Sequence, residues 1–163
     1  MKMPVPDSGV IARRREIVEA LRAIVPGEGV IVDENELRAY ECDGLTAFRQ
    51  LPMVAVLPST VEQVSQVLKA CKAMGVKVVP RGAGTSLSGG ALPLADGVLL
   101  GMGKFKRILD IDYANRCVTV QPGVTNLGIS NAVAHEGFYY APDPSSQIAC
   151  TIGGNVAENS GGV

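Results

Sequence analysis

The sequence predicts an α+β fold in which a small unit of parallel strands is followed by a mainly antiparallel sheet. Two patterns carry this. An apolar run at 53–57, a helical period over 61–74 and a second apolar run at 76–79 read as strand, helix, strand, the unit that makes parallel strands. Short apolar or alternating runs at 97–102, 108–111 and 117–120, separated by turn residues, then read as strands of a second sheet. At 163 residues, 47% hydrophobic and 19% charged, the chain has the length and composition to bury a core, with one domain as the default.

Each element has its own signal. Over residues 11–25, Ile17, Leu21 and Ile24 share one helical face, and Pro26 and Gly27 stop the pattern. A second short helix fits 33–40, followed by an irregular segment through 44–51. In the 61–74 helix, Val61, Val64, Leu68, Cys71 and Met74 recur at helical spacing. Either Ser59 with Glu62 or Thr60 with Gln63 can form its capping box, and Gly75 stands where a left-handed C-terminal residue is needed. A further helix fits 126–136, closed by Gly137, with a short strand at 138–140. Residues 1–52 thus read as an N-terminal helical segment, 53–90 as a first lobe and 91–163 as the start of a second. The glycine-dense stretch at 158–163 reads as the edge of a fragment.

Several functions are disfavoured by composition. Fifteen Lys and Arg against sixteen Asp and Glu leave a net charge of −1, so no global field draws the chain to nucleic acid or an anionic membrane. The basic run Arg13, Arg14, Arg15 reads as a solvated helix face. No run reaches the roughly 18 apolar residues of a membrane span, and the N-terminus lacks a signal-peptide core, so the location reads as cytoplasmic. Cys42, Cys71, Cys117 and Cys150 are scattered without a C-x-x-C pair, which reads as free thiols rather than a metal site.

Three segments carry candidate chemistry. PRGAGTSLSGG at 80–90 follows a predicted strand; its four glycines allow tight turning and can aim several N–H groups at one point, with Thr85, Ser86 and Ser88 adding hydroxyl donors. Such a concavity suits a phosphate or pyrophosphate, and an ordinary flexible loop is the competing reading. It is not a Rossmann fingerprint, since Leu87 stands where the third glycine belongs, and no Gly-Lys-Ser/Thr of a P-loop occurs. APDPSS at 141–146 is stiffened by two prolines and either presents hydroxyls or simply connects. In TIGGNVAENSGG at 151–162, Thr151 can cap a short helix whose glycines admit a flat ligand or a diphosphate.

The joint order of PRGAGTSLSGG, QPGV at 121–124, APDPSS and TIGGNVAENSGG resembles the FAD-binding domain of the vanillyl-alcohol oxidase/p-cresol methylhydroxylase superfamily. Within it, the pattern is similar to the FAD-binding subunits of glycolate oxidases and to D-lactate dehydrogenases. The resemblance runs from about residue 53 to the last. It implies a two-lobed α+β domain with FAD extended between the lobes. It also implies that Arg81, Gly82, Ala83, Gly84, Thr85 and Ser86 hold the pyrophosphate through backbone amides, with Gly84 leaving room for it and Pro80 beside them at the cofactor. Pro142, Asp143, Ser145, Ser146, Thr151, Gly153, Gly154, Asn155, Asn159, Ser160 and Gly161 would line the rest of the cofactor, and Pro122 and Gly123 the adenine side. Some relatives attach flavin through a histidine where this chain has Thr85, so non-covalent FAD is expected.

The only histidine, His135, falls near a helix end and reads as a polar terminus rather than a catalyst. No acid/base pair, nucleophile with its partner or metal triad is apparent, so no catalytic residue is assigned. The family layout puts the catalytic base and most substrate contacts in a C-terminal cap domain, expected beyond Val163; the fragment alone should therefore be inactive. The resemblance implies oxidation of a small 2-hydroxy acid such as glycolate or D-lactate, by proton loss to a base and hydride transfer to flavin N5. Electrons would pass to an iron-sulfur partner subunit or a quinone. The alternative is a non-catalytic FAD-binding electron-transfer subunit, such as that of a molybdenum hydroxylase.

Overall fold

The structure, a computed structural model, describes residues 3–162. Two short helices open it, α1 (Ser8–Ala12) and α2 (Arg14–Ile24). Asp7 caps the first, its Oδ1 accepting from the amides of Gly9 at 2.8 Å and Val10 at 3.2 Å. The single helix expected over 11–25 is interrupted at Arg13, whose amide takes a tight bond to the Val10 carbonyl and whose Nη2 donates to the Met74 carbonyl at 3.0 Å. Ile17, Val18 and Leu21 are buried as the helical period requires.

The segment before residue 53 is more than helical. Val30–Ile31 forms β1, antiparallel to β2 (Val54–Val56), so this N-terminal part joins the main sheet. Between them lies α3 (Glu34–Leu37), capped by Asp33 and continued by a 3-10 turn over Arg38–Tyr40, where the second helical stretch was expected.

The strand, helix, strand unit is present as β2, α4 (Val61–Met74) and β3 (Lys77–Arg81). Of the two candidate caps, Thr60 with Gln63 forms: Thr60 Oγ1 accepts from the Gln63 amide at 3.2 Å, and Gln63 Oε1 accepts from the Ser59 amide at 2.7 Å. Gly75 ends the helix with φ +67°, the left-handed residue its position predicts.

The strand expected at 97–102 belongs elsewhere than predicted. β4 (Gly97–Gly101) lies between β2 and β3, parallel to both, in a sheet ordered β1-β2-β4-β3. All five of its residues are buried, and an uninterrupted apolar run without alternation is the mark of a strand covered on both faces. The boundary expected at residue 90 therefore shifts: 97–101 belongs to the first lobe's sheet. Val98 and Leu100 face the α2 and α4 side with Ile17, Leu21, Val67 and Cys71, while Leu99 and Ala55 face Leu37.

The second sheet is the antiparallel hairpin β5 (Ile108–Asp112) and β6 (Cys117–Val120), with a bulge between Ile108 and Asp110. α5 (Asn126–Val133), capped by Thr125, runs into a 3-10 turn at Ala134–Glu136 and ends at Gly137 with φ +77°. The strand expected at 138–140 does not form. That stretch turns back instead: Phe138 packs on Tyr113 with ring centroids 5.6 Å apart, and the Tyr140 amide donates to Ser130 Oγ at 3.0 Å. The last element is α6 (Ile152–Ala157). No helix among the described residues is long and apolar enough to cross a membrane.

Candidate functional site

β3 and β4 run parallel and end side by side, the Met102 amide donating to the Arg81 carbonyl at 2.9 Å. Beyond the carboxyl ends of parallel strands is where open α/β sheets place ligands. There the chain opens into a glycine-rich loop, and the segment carrying α6 closes over it. Between them lies a cleft of about 840 Å³, within the range of small-molecule sites.

The opposing wall is held by backbone bonds. Thr151 bridges Thr125, the Ile152 amide donates to the Val124 carbonyl at 2.9 Å, and the Gly153 amide donates to the Pro122 carbonyl at 2.9 Å. A β-carbon on Gly153 would stand 2.7 Å from Pro122 Cβ, and one on Gly82 would stand 2.6 Å from Thr151 Oγ1. Only glycine lets these layers meet so closely. Buried Asn126 fixes the proline-rich turn by donating from Nδ2 to the Pro142 carbonyl at 3.0 Å, and the Asp143 amide donates to the Gly161 carbonyl at 3.0 Å. Thr151 precedes α6 but its side chain makes no cap bond there.

Most residues expected from the sequence meet in this cleft. Pro80, Arg81, Gly82, Ala83, Gly84, Thr85 and Ser86 form one side; Pro122, Ser145, Ser146, Thr151, Gly153, Gly154, Asn155 and Ser160 line the rest. Gly123, Pro142, Asp143, Asn159 and Gly161 do not line it. Gly123 is buried with its amide on the Phe105 carbonyl at 2.8 Å, and Pro142, Asp143 and Gly161 act through the backbone bonds that shape the wall. Leu87, Ala91, Met102 and Cys150 also line the cleft, although the sequence does not mark them as cofactor contacts. Met102 had a usable signal, since it follows β4 directly and parallel strands present ligands at that end; the misplacement of β4 concealed it.

The donor set is chemically specific. Among the described residues, the amides of Ala83, Gly84, Thr85, Ser86 and Leu87 are bonded to no protein acceptor. Asn155 Nδ2 is buried, faces no acceptor and belongs to a residue lining the cleft. Buried donors without partners are rare in folded proteins. Arg81 is the one cation among the described lining residues, and its guanidinium is spoken for: Nη1 donates to the Ala91 carbonyl at 3.1 Å and Nη2 to the Cys42 carbonyl at 2.8 Å. Burial pushes its pKa below the ordinary value, with nearby Cys42, Asp43 and Tyr40 acting in the other direction. An anion here would meet neutral N–H groups without protein partners rather than a free cation, a donor set that suits a diphosphate. The residues present fit a dinucleotide.

His135 is exposed, edge-on to Tyr113 at 6.4 Å, and so outside the cleft. No group of three or more His, Cys, Asp or Glu able to hold a metal occurs among the described residues.

A cleft of dinucleotide size beyond the carboxyl ends of parallel strands marks a nucleotide-binding class of protein, and residues 52–163 match the family described as FAD binding domain. The chain belongs to that family. Over 150 residues it is 59% identical to glycolate oxidase subunit GlcD of Escherichia coli (strain K12), covering 92% of this chain and 30% of that protein. It is 41% identical over 132 residues to glycolate oxidase subunit GlcD of Bacillus subtilis (strain 168), covering 80% of this chain and 28% of that one. Its backbone is similar to that of p-cresol methylhydroxylase, with a TM-score of 0.74 at 24% identity over 94% of this chain and 30% of that chain, a likeness of fold. The chain thus spans about 30% of the length of these relatives.

Proposed function

We propose that this chain is the FAD-binding portion of an oxidoreductase that oxidises a small 2-hydroxy acid of the glycolate or D-lactate type. The observation that carries this reading is the run of unpaired amides from Ala83 to Leu87 in residues that line one cleft with Ser145 and Thr151. The names of the relatives that are 59% and 41% identical supply the substrate class; nothing comparable favours an electron-transfer subunit of a molybdenum hydroxylase.

In this reading, the loop at 81–86 holds the diphosphate through main-chain N–H groups, which bear no countercharge and keep their geometry because the buried Arg81 guanidinium ties the loop's start to its end at Ala91. Ser145, Ser146, Thr151, Gly153, Gly154, Asn155 and Ser160 line the remaining length of the cofactor. Asn155 Nδ2 gains the acceptor it lacks. Pro122, set by Gly123, shapes the adenine side. With Thr85 rather than a histidine in the loop, FAD is held without a covalent bond. FAD, when bound, supplies the two-electron acceptor that the side chains of this portion do not offer. Electrons leave to an iron-sulfur partner subunit or a quinone, and the protein works in the cytoplasm. The base that takes the substrate's hydroxyl proton belongs to the remaining length of the whole protein.

The test uses the whole protein, purified without added cofactor and assayed with an artificial electron acceptor against glycolate, D-lactate, L-lactate and D-2-hydroxyglutarate. Oxidised-flavin absorbance released by denaturation, with turnover of at least one of these acids, is the expected result. A colourless protein that FAD fails to reconstitute would end the proposal.

A further inference from the structure

The loop that lines the cleft has a second side, and the residues packed there lie upstream of the matched region 52–163. A β-carbon on Gly44 would stand 2.7 Å from the Thr85 carbonyl oxygen and 3.0 Å from that of Ser86. These are backbone-to-backbone approaches that no side chain can yield to relieve. Gly44 does not line the cleft, whereas Thr85, Ser86 and Leu87 do. The Gly44 β-carbon position is nearly equidistant from the Thr85 carbonyl oxygen and carbon, at 2.7 and 3.0 Å, so residue 44 lies flat against the peptide that carries the Ser86 amide and leaves that peptide no room to shift away from the cleft.

The same upstream segment is tied to the foot of the loop. Arg81, buried at 8% exposure, spans the Cys42 and Ala91 carbonyls, at 2.8 and 3.1 Å, so one planar fork clamps the loop's beginning, its end and the upstream strand of chain. Asp43 shapes the turn that presents Gly44: its Oδ1 accepts from the Leu45 amide at 3.0 Å and its carbonyl from the Thr46 amide at 3.2 Å. The side chain of Asp43 is buried, with Oδ2 bonded to nothing among the described residues. Its negative charge acts on the Arg81 guanidinium. Thr46 completes the turn at φ +55°, a left-handed conformation that a β-branched residue adopts only where its surroundings impose it.

We infer that residues 42–46 form the outer wall of the diphosphate loop, and that Gly44 and Arg81 are positioning residues that aim the loop's amides rather than contacts of the cofactor. This rests on the reading that the loop binds the diphosphate of FAD. It changes the role of Arg81, which the sequence places among the cofactor contacts, and it adds a functional part to the segment before residue 53.

Gly44→Ala is the sharpest variant, because Gly44 has no left-handed φ and its only obstacle is the loop itself. Gly103→Ala, whose β-carbon would meet nothing within 4 Å, is the control. Apoprotein of each variant of the whole protein is titrated with FAD, ADP and adenosine. The expected result is that Gly44→Ala weakens FAD and ADP by about tenfold or more, the loss that follows when hydrogen bonds to a charged group are misaligned. Adenosine binding should stay as in the unaltered protein, and Gly103→Ala should match the unaltered protein throughout. Equal loss for adenosine and ADP, or no loss for either, overturns the inference. Hydrogen exchange on the unaltered protein gives an independent arm that no folding failure can disable: FAD should protect the amides of 42–46 together with those of 82–88. Protection confined to 82–88 also overturns it. An unaltered protein that binds no FAD would instead sink the functional reading on which the inference stands.

Discussion

Gly84 holds φ +75°, and a β-carbon there would run into the guanidinium of Arg81. The sequence suggests that glycine at this position leaves room for the diphosphate. The geometry adds a different reason, since the missing side chain would point at the arginine that clamps the loop. Gly84→Val therefore combines a left-handed β-branched residue, costing about 1–3 kcal/mol, with displacement of Arg81. The expected outcome is loss of FAD retention on gel filtration together with a lower urea midpoint; unchanged retention would remove this loop from the site. A second residue-scale expectation concerns Cys71, fully buried between α2 and α4. Burial pushes its thiol up to about 11. With the folded value above the unfolded one, the neutral thiol stabilises the fold at lower pH. That contribution is lost as pH rises from the ordinary cysteine range, about 8.5, through about 11. Exposed Cys117 should react with a thiol reagent in the native protein at once, and Cys71 only on unfolding. Rapid labelling of all four thiols without denaturant would contradict that burial.

At the scale of elements, α4 shows where sequence suffices. Its helical period, the Thr60 cap and Gly75 are local signals, and local hydrogen bonds answer them directly. Thr60→Ala should cost about 1 kcal/mol. Gly75→Ala should cost about 1–2 kcal/mol, all of it conformational because a β-carbon there meets nothing within 4 Å. Urea denaturation of both variants checks this, and a neutral Gly75→Ala would mean the left-handed end is not enforced. The placement of β4 was not legible in the same way. Its apolar run announces a strand, but whether that strand joins the first sheet or the second depends on pairing with residues 54–56 and 77–81, which no local period encodes. For the same reason the two-residue strand β1 escaped notice. The cleft lining was legible where glycine and proline impose the backbone, as at 82–86 and 145–146. It was not legible where a residue enters the cleft by the register of a distant strand, as Met102 does, or works from behind the loop, as Gly44 does.

At the scale of the whole molecule, the cleft sits at one end of the parallel strands and a charged knot at the other. Asp96, 2% exposed just before β4, accepts at a single oxygen from the Lys77 ammonium at 2.7 Å and the Asp7 amide at 2.8 Å. It thereby joins the start of β4 to the start of β3 and to the cap of α1, three segments far apart in sequence. Burial by itself raises the Asp96 pKa; the Lys77 hydrogen bond, the Asp7 amide and the charge of Lys77 outweigh it, and the carboxyl lies below the usual aspartate range. A depressed folded value means the ionised group stabilises the fold fully above the unfolded pKa of about 3.9, and this is lost as pH falls through the lower folded value. Asp96→Asn keeps the shape and removes the charge. The variant should therefore be less stable than the unaltered protein from about pH 7 to about pH 5, and the gap should narrow below about pH 4 as Asp96 itself takes up a proton. Urea midpoints of both proteins across that range measure it. Because the knot lies at the far end of the sheet from the cleft, FAD affinity at neutral pH should be the same in both. A gap that persists undiminished into acid would show that the ionised carboxylate contributes nothing, and a parallel fall in FAD affinity would show that the two ends of the sheet are coupled.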